Sequence, residues 1–261
     1  MNIIEQRAAS SLQFARSSDG VEIAFKVAGT GRALACLHGF SESHEGWEEA
    51  GYVEPLVAAG YQVILIDSRG HGRSGKPHQP DAYSGSLRIA DLVAVLDRLG
   101  HGKALLLGHS MGGTLALAAA AHIRERVAAV IAIGAHPFSE DLEPLRHVLR
   151  AGLQDWMAHL ERQAGTMSQT TRRRIADNDP AALSACAARN RADFSAQVSA
   201  SDIPLLAIVG SEDERKSRVL EMTGMPNTSV KVAGGLNHCT SFAQAGTILP
   251  IILNFLQDME A

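Results

Sequence analysis

Short apolar runs recur along the chain at 33–37, 62–66, 104–107, 127–133, 204–209 and 229–232. Each is continuous rather than alternating, which is the pattern of a strand covered on both faces in a parallel sheet. Two earlier segments, 11–16 and 21–27, flank Asp19-Gly20 and predict a hairpin. Between the runs the apolar spacing becomes that of helices. Residues 48–59 end at Gly60, and 87–99 carry Ile89, Leu92, Leu96 and Leu99 before Gly100. Residues 111–126 are rich in Ala and Leu, and 242–259 close the chain. The alternation predicts an α/β fold, a mostly parallel twisted sheet of about eight strands with helices on both faces and right-handed crossovers.

One stretch breaks this rhythm. Residues 138–201 show helical spacing over 141–163, 170–178 and 181–193, the last two parted by Asp179-Pro180, and no convincing strand. The expected organisation is therefore a core domain of 1–137 and 202–261, with a helical insertion at 138–201. An insertion of this length in a compact domain reads as a lid over a site. A packing element unrelated to any ligand is the alternative.

Composition narrows the classes. With 46% apolar residues in 261, one large core with a modest insertion is affordable in surface terms. A formal charge of −4 with no basic stripe speaks against a nucleic-acid partner. The longest basic run, Arg172-Arg173-Arg174, reads as a solvated helix face, with attraction of an anionic substrate as the alternative. Three dispersed cysteines, Cys36, Cys186 and Cys239, form neither a disulfide framework nor a zinc spacing. No metal and no cofactor are expected. The first ten residues lack a basic stretch followed by an apolar one, and no apolar run reaches membrane-spanning length. A cytoplasmic protein without a membrane partner is expected, and a homodimer is left open.

The sharpest chemical signal is Gly108-His109-Ser110-Met111-Gly112, a G-x-S-x-G pattern between an apolar run and an Ala-rich helix. A strand-to-helix turn this tight strains the serine backbone and excludes side chains at the two glycines. It also sets the hydroxyl at a helix N-terminus, where backbone N–H groups favour an oxyanion. A plain serine N-cap is the structural alternative. Serine needs a base, and the base an orienting acid. In chain order the acid comes next, from Gly210-Ser211-Glu212-Asp213-Glu214 after the run 204–209. Asp213 has room to turn back toward a base, Glu212 is the competing acid, and Glu214 is expected to open the next helix. The base is His238, after the last strand and its paired glycines, and no other histidine follows position 159. Cys239 beside it lacks a glycine turn and reads as packing. Oxyanion donors are expected from the backbone N–H groups of Met111 and of Phe40, in the loop His38-Gly39-Phe40 after an earlier strand. His38 is read as holding that loop, with a place in the pocket as the alternative. His109, Phe138, Trp156, Met157 and Met167 are further candidates for an apolar substrate pocket. Gly70-His71-Gly72-Arg73-Ser74-Gly75 matches a dinucleotide fingerprint, but Lys76-Pro77-His78-Gln79-Pro80 cannot open the helix that such a site requires. Asp67 is expected to brace that loop through Arg69.

Together His38-Gly39-Phe40 with Trp47, Asp67-Ser68-Arg69-Gly70-His71-Gly72-Arg73-Ser74, Gly108-His109-Ser110-Met111-Gly112-Gly113, Gly210-Ser211-Glu212-Asp213 and His238 resemble the α/β-hydrolase superfamily over nearly the whole chain. The Asp67–Ser74 segment looks like the branch with small helical caps, which includes esterases, enol-lactonases and carbon–carbon bond hydrolases. The resemblance implies a serine hydrolase acting on a small-molecule ester or lactone. Its rivals are carbon–carbon cleavage, perhydrolysis or cyanohydrin lysis by the same residues, or a low-turnover ligand receptor. Asn237 departs from the glycine that often precedes the histidine. A serine nucleophile argues against the haloalkane dehalogenase and epoxide hydrolase branches, which use aspartate.

Overall fold

A computed structural model describes residues 11–259. The expectation about a leader at 1–10, and the outermost positions of the segments 1–137 and 202–261, lie outside the described residues. The strands are β1 (Gln13–Arg16), β2 (Glu22–Ala28), β3 (Arg32–Leu37), β4 (Tyr61–Ile66), β5 (Ala104–His109), β6 (Val127–Ile133), β7 (Leu205–Gly210) and β8 (Thr228–Ala233). They form one sheet in the order β1-β2-β4-β3-β5-β6-β7-β8. The predicted hairpin is present, with Gln13 opposite Phe25. β2 also runs antiparallel to β4, and the remaining pairs are parallel.

The continuous apolar runs are explained by two cores, one on each face. Successive strand residues point to opposite sides. Ala33, Ala35 and Leu37 of β3 join Leu106 of β5 and Ala207 of β7 in one cluster. Leu34, Cys36, Leu105, Leu107 and Ile208 join the other. The first face is covered by α3 (Gly85–Arg98) and α4 (Met111–His122), and the second by α1 (His44–Glu49), α2 (Val53–Ala58) and the C-terminal helix.

Several helices end elsewhere than their apolar spacing suggests. The helix expected over 48–59 is two helices, because the chain turns between them at Gly51, φ 83°. The first begins earlier, where the Ser43 hydroxyl accepts from the Glu45 N–H. The last helical stretch is also two, α11 (Thr240–Ala243) and α12 (Ala245–Asp258). Glu214 opens no helix, since α10 spans Lys216–Glu221.

Between β6 and β7 lie α5 (Glu143–Ala151), α6 (Leu153–Ala164), α7 (Gln169–Ala176), α8 (Pro180–Cys186) and α9 (Ser195–Ser199). The helix expected at 181–193 stops at Cys186, and Arg191 then forms an antiparallel bridge with Glu140. Among the described residues, no helix is long and apolar enough to cross a membrane.

Candidate active site

Parallel strands deliver their following loops to one rim of the sheet. At the end of β5 the chain reverses into α4 through Ser110, whose φ of 51° and ψ of −113° are strained for a residue with a side chain. Glycine is required beside it by close approach. A Cβ on Gly112 would lie 2.0 Å from the Leu37 carbonyl oxygen of β3, and one on Gly108 would lie 2.4 Å from Gly112. The collision at Gly112 is thus with the neighbouring strand rather than across its own turn.

Three side chains from three loops meet on this rim. Ser110 Oγ lies 2.9 Å from His238 Nε2, and His238 Nδ1 lies 2.9 Å from Asp213 Oδ2. The other Asp213 oxygen accepts from the Arg215 N–H at 2.8 Å, so both carboxylate oxygens are engaged. Glu212 is exposed on the outside of the same turn. Burial works to raise the Asp213 carboxyl, but the hydrogen bond and charge of His238 outweigh it and hold the pKa below the ordinary carboxylate value. Burial, helped by the Arg215 cation, lowers the His238 pKa against the pull of Asp213. His238 is therefore neutral at pH 7. The tautomer with a proton on Nδ1 donates to Asp213 and leaves Nε2 to accept from the serine hydroxyl.

The support around this line was only partly visible in the sequence. Gly134, φ 59°, passes so close that a Cβ there would lie 2.9 Å from His238 Nδ1. Its place directly after the run 127–133 was the available signal. His109 Nε2 lies 3.1 Å from the His238 carbonyl, and its ring stacks on Phe242 at 4.9 Å. Asn237 takes the place of the usual glycine with a defined role. It exchanges hydrogen bonds with Thr240 at the start of α11 and donates to the Gln163 carbonyl at the end of α6, at 2.6 Å. Cys239 Sγ contacts the Gln163 side chain, and burial pushes its thiol up to about 11.

The Asp67 loop is braced differently from expectation. Arg69 does not pair with Asp67. It binds Asp91 at 2.6 Å and Asp19 at 2.8 Å. Asp67 accepts instead from the His44 ring and backbone and from the Arg73 N–H. The glycine-rich stretch after it stays irregular up to a short 3₁₀ turn at Pro80–Tyr83.

A cavity of about 1530 Å³ runs between α3, α4 and the segment around Cys186–Gln197. Phe40 and Met111 line it; Ser110, Asp213 and His238 do not. It therefore runs beside the triad and reaches it at the loop after β3 and the first residue of α4. None of His38, His109, Phe138, Trp156, Met157 and Met167 lines this cavity. His38 is fully buried, and its Nε2 accepts from the Ser68 N–H at 3.0 Å. Phe138 lies under the Arg218 guanidinium at 5.3 Å. Trp156 packs edge-on against Phe40 and donates to Ser41 Oγ at 2.8 Å. Met157 is buried within α6, and Met167 is half-buried between α6 and α7. Of the basic run, Arg174 is not a solvated residue, since it binds Glu42 and Glu49 at 2.8 and 2.7 Å.

Residues 32–183 match the model of the α/β-hydrolase fold family. The chain belongs to the α/β-hydrolase family. This α/β hydrolase is 29% identical to a non-heme haloperoxidase of Rhodococcus erythropolis, over 94% of the chain and all of that protein. Among solved structures it is similar to the esterase RhEst1 from Rhodococcus sp. ECU1013, with a TM-score of 0.82 and 24% identity over 96% of this chain and all of that one. It is also similar to the enol-lactonase from Burkholderia xenovorans LB400, with a TM-score of 0.81 and 20% identity over 94% of this chain and all of that one.

Proposed function

We propose that this α/β hydrolase cleaves small to medium carboxylic esters or lactones through an acyl-serine intermediate. The supporting observation is the unbroken Asp213–His238–Ser110 line, with both links at 2.9 Å, beside a strained serine. Ser110 Oγ attacks the carbonyl carbon while His238 Nε2 takes its proton. The Met111 and Phe40 N–H groups hold the oxyanion. Met111 opens α4, where backbone N–H groups have no partner within the helix. His238 then gives its proton to the leaving oxygen, takes one from water, and returns it to Ser110 as the acyl group departs. Asp213 remains ionised and stabilises the imidazolium. Helices α5–α9 act as the cap that closes this rim from solvent.

A panel of nitrophenyl esters and lactones, assayed on the wild type and Ser110→Ala, tests this reading. Hydrolysis by the wild type alone is the expected result. Turnover unchanged in Ser110→Ala contradicts the mechanism. The likeness to a haloperoxidase favours one second reading, perhydrolysis, in which peroxide replaces water against the same acyl-serine. Peracid formation from a short carboxylic acid and hydrogen peroxide separates the two.

A further inference from the structure

The cavity beside the triad holds a cation without a partner. Arg88 lies in the first turn of α3, the helix that follows β4, so it belongs to the same sheet rim as Ser110. Arg88 is half-buried, and its side chain makes no hydrogen bond or ion pair among the described residues; Nη2 is closed off from solvent, and the rest of the guanidinium is what can face the cavity. A cation on a cavity wall with no protein partner is left for water or a ligand to satisfy. The other arginines of the interior are handled differently: Arg69 is bound by Asp91 and Asp19, and Arg174 by Glu42 and Glu49.

No carboxylate is paired with Arg88 itself, and Asp91, which lines a small space beside it, is bound by Arg69. It lines the cavity together with Phe40, Met111, Tyr83, Cys186 and Arg191. Cys186 Sγ lies 3.8 Å from Met111 Sδ, which brings this wall to the residue after the serine. Arg191 shares its one carboxylate partner, Glu140, with Arg215. The cavity lining carries five arginines against two aspartates and is net positive.

We propose that the cavity receives the part of the substrate that carries a carboxylate, and that Arg88 binds it. Resting on the ester-hydrolase reading, this narrows the substrate class to esters or lactones of dicarboxylic or other acid-bearing compounds. The scissile carbonyl sits at Ser110, and the chain bearing the acid passes Met111 into the space between α3 and α8. A planar guanidinium with no partner in the protein matches a carboxylate and balances its single charge.

Two measurements test the proposal independently. The first compares kcat/KM for the nitrophenyl monoester of glutaric acid with that for nitrophenyl valerate, close in length and neutral. The ratio is expected to favour the anionic ester in the wild type and to fall by about ten- to hundredfold in Arg88→Gln. Arg88→Lys is expected to restore part of it, and Lys231→Gln, on the exposed face of β8, to leave it unchanged. A ratio that does not move in Arg88→Gln overturns the proposal, as does equal movement in Lys231→Gln. The second is calorimetric titration of folded Ser110→Ala with glutarate, glutaramide and inorganic phosphate, with and without Arg88→Gln. Glutarate binding that is lost with Arg88, with weaker binding of the other two, is expected. Tighter phosphate binding, or glutarate binding indifferent to Arg88, overturns the carboxylate assignment. Glutarate binding through Arg88 in a protein that hydrolyses no ester would sink the hydrolase reading and keep the anion site. Ester hydrolysis without glutarate binding would do the reverse.

Discussion

The sheet rim and the helices laid between β6 and β7 are built by different means. At the rim, β5 and β7 are buried on both faces and fix the loops that carry Ser110 and Asp213, His238 follows the half-exposed edge strand β8, and backbone packs so tightly that Gly108 and Gly112 admit no Cβ. The inserted helices bury unequally: α8 buries Ala182, Leu183 and Ala185 and α6 Trp156 and Met157, but two others bury almost nothing. α5 buries no residue and α7 only Ile175. They are tied down largely by polar contacts: Trp156 and Asn178 to Ser41, Arg174 to Glu42 and Glu49, Gln163 to Asn237, and Glu140 to Arg215. Apolar packing over a sheet opens only with the whole domain, whereas a few polar ties can break together and let a segment lift. One region is held by apolar packing on a sheet, and the other leans on polar ties that can open separately.

The contrast can be broken in graded ways. Asp213→Asn removes the ionised partner of His238 and is expected to lower kcat about 10⁴-fold in ester assays, with circular dichroism unchanged. Arg174→Ala leaves Glu42 buried without its cation, a loss of about 3 kcal/mol or more. Limited proteolysis should then cleave within 143–199 about a hundredfold faster, while the amides of β3 and β5 keep their hydrogen-exchange protection. Equal loosening of the sheet would abolish the distinction. Trp156→Phe deprives the Ser41 hydroxyl of its donor and is expected to cost about 1–2 kcal/mol, read as a lower Tm.

The pH profile gives the smallest and finest test. His238 must be neutral to act as a base, and burial with Arg215 holds its pKa below the ordinary value near 6.5. Activity should persist below pH 6.5 and be lost only as the pH falls through the lowered value. Arg215→Gln removes one lowering cause, so the acid limb of kcat/KM should move to higher pH. A limb that stays in place, or moves down, contradicts the electrostatic role of Arg215.

The same contrast explains what was legible in the sequence. The rim follows from local rules. Period and continuity marked the strands, a strand-to-helix junction singled out Ser110, and chain order placed Asp213 and His238 behind it. The insertion follows no such rule, because its partners are distant in sequence. Nothing local shows that Trp156 points at Ser41, or that Arg174 reaches back to Glu42. The four residues expected in a pocket on apolar character, Phe138, Trp156, Met157 and Met167, do not line the cavity, since apolar character reports burial and not what the residue faces. Arg88 is hidden in the sequence for the opposite reason. A basic residue in the first turn of a helix looks solvated until three elements are seen to close around it.

The most direct measurement is mass spectrometry of the protein quenched during turnover of a nitrophenyl ester. The expected result is one acyl group on the peptide containing Ser110, absent from Ser110→Ala. An acyl group on another residue such as Cys239, or turnover with no covalent species even under rapid acid quench, would contradict an acyl-serine mechanism.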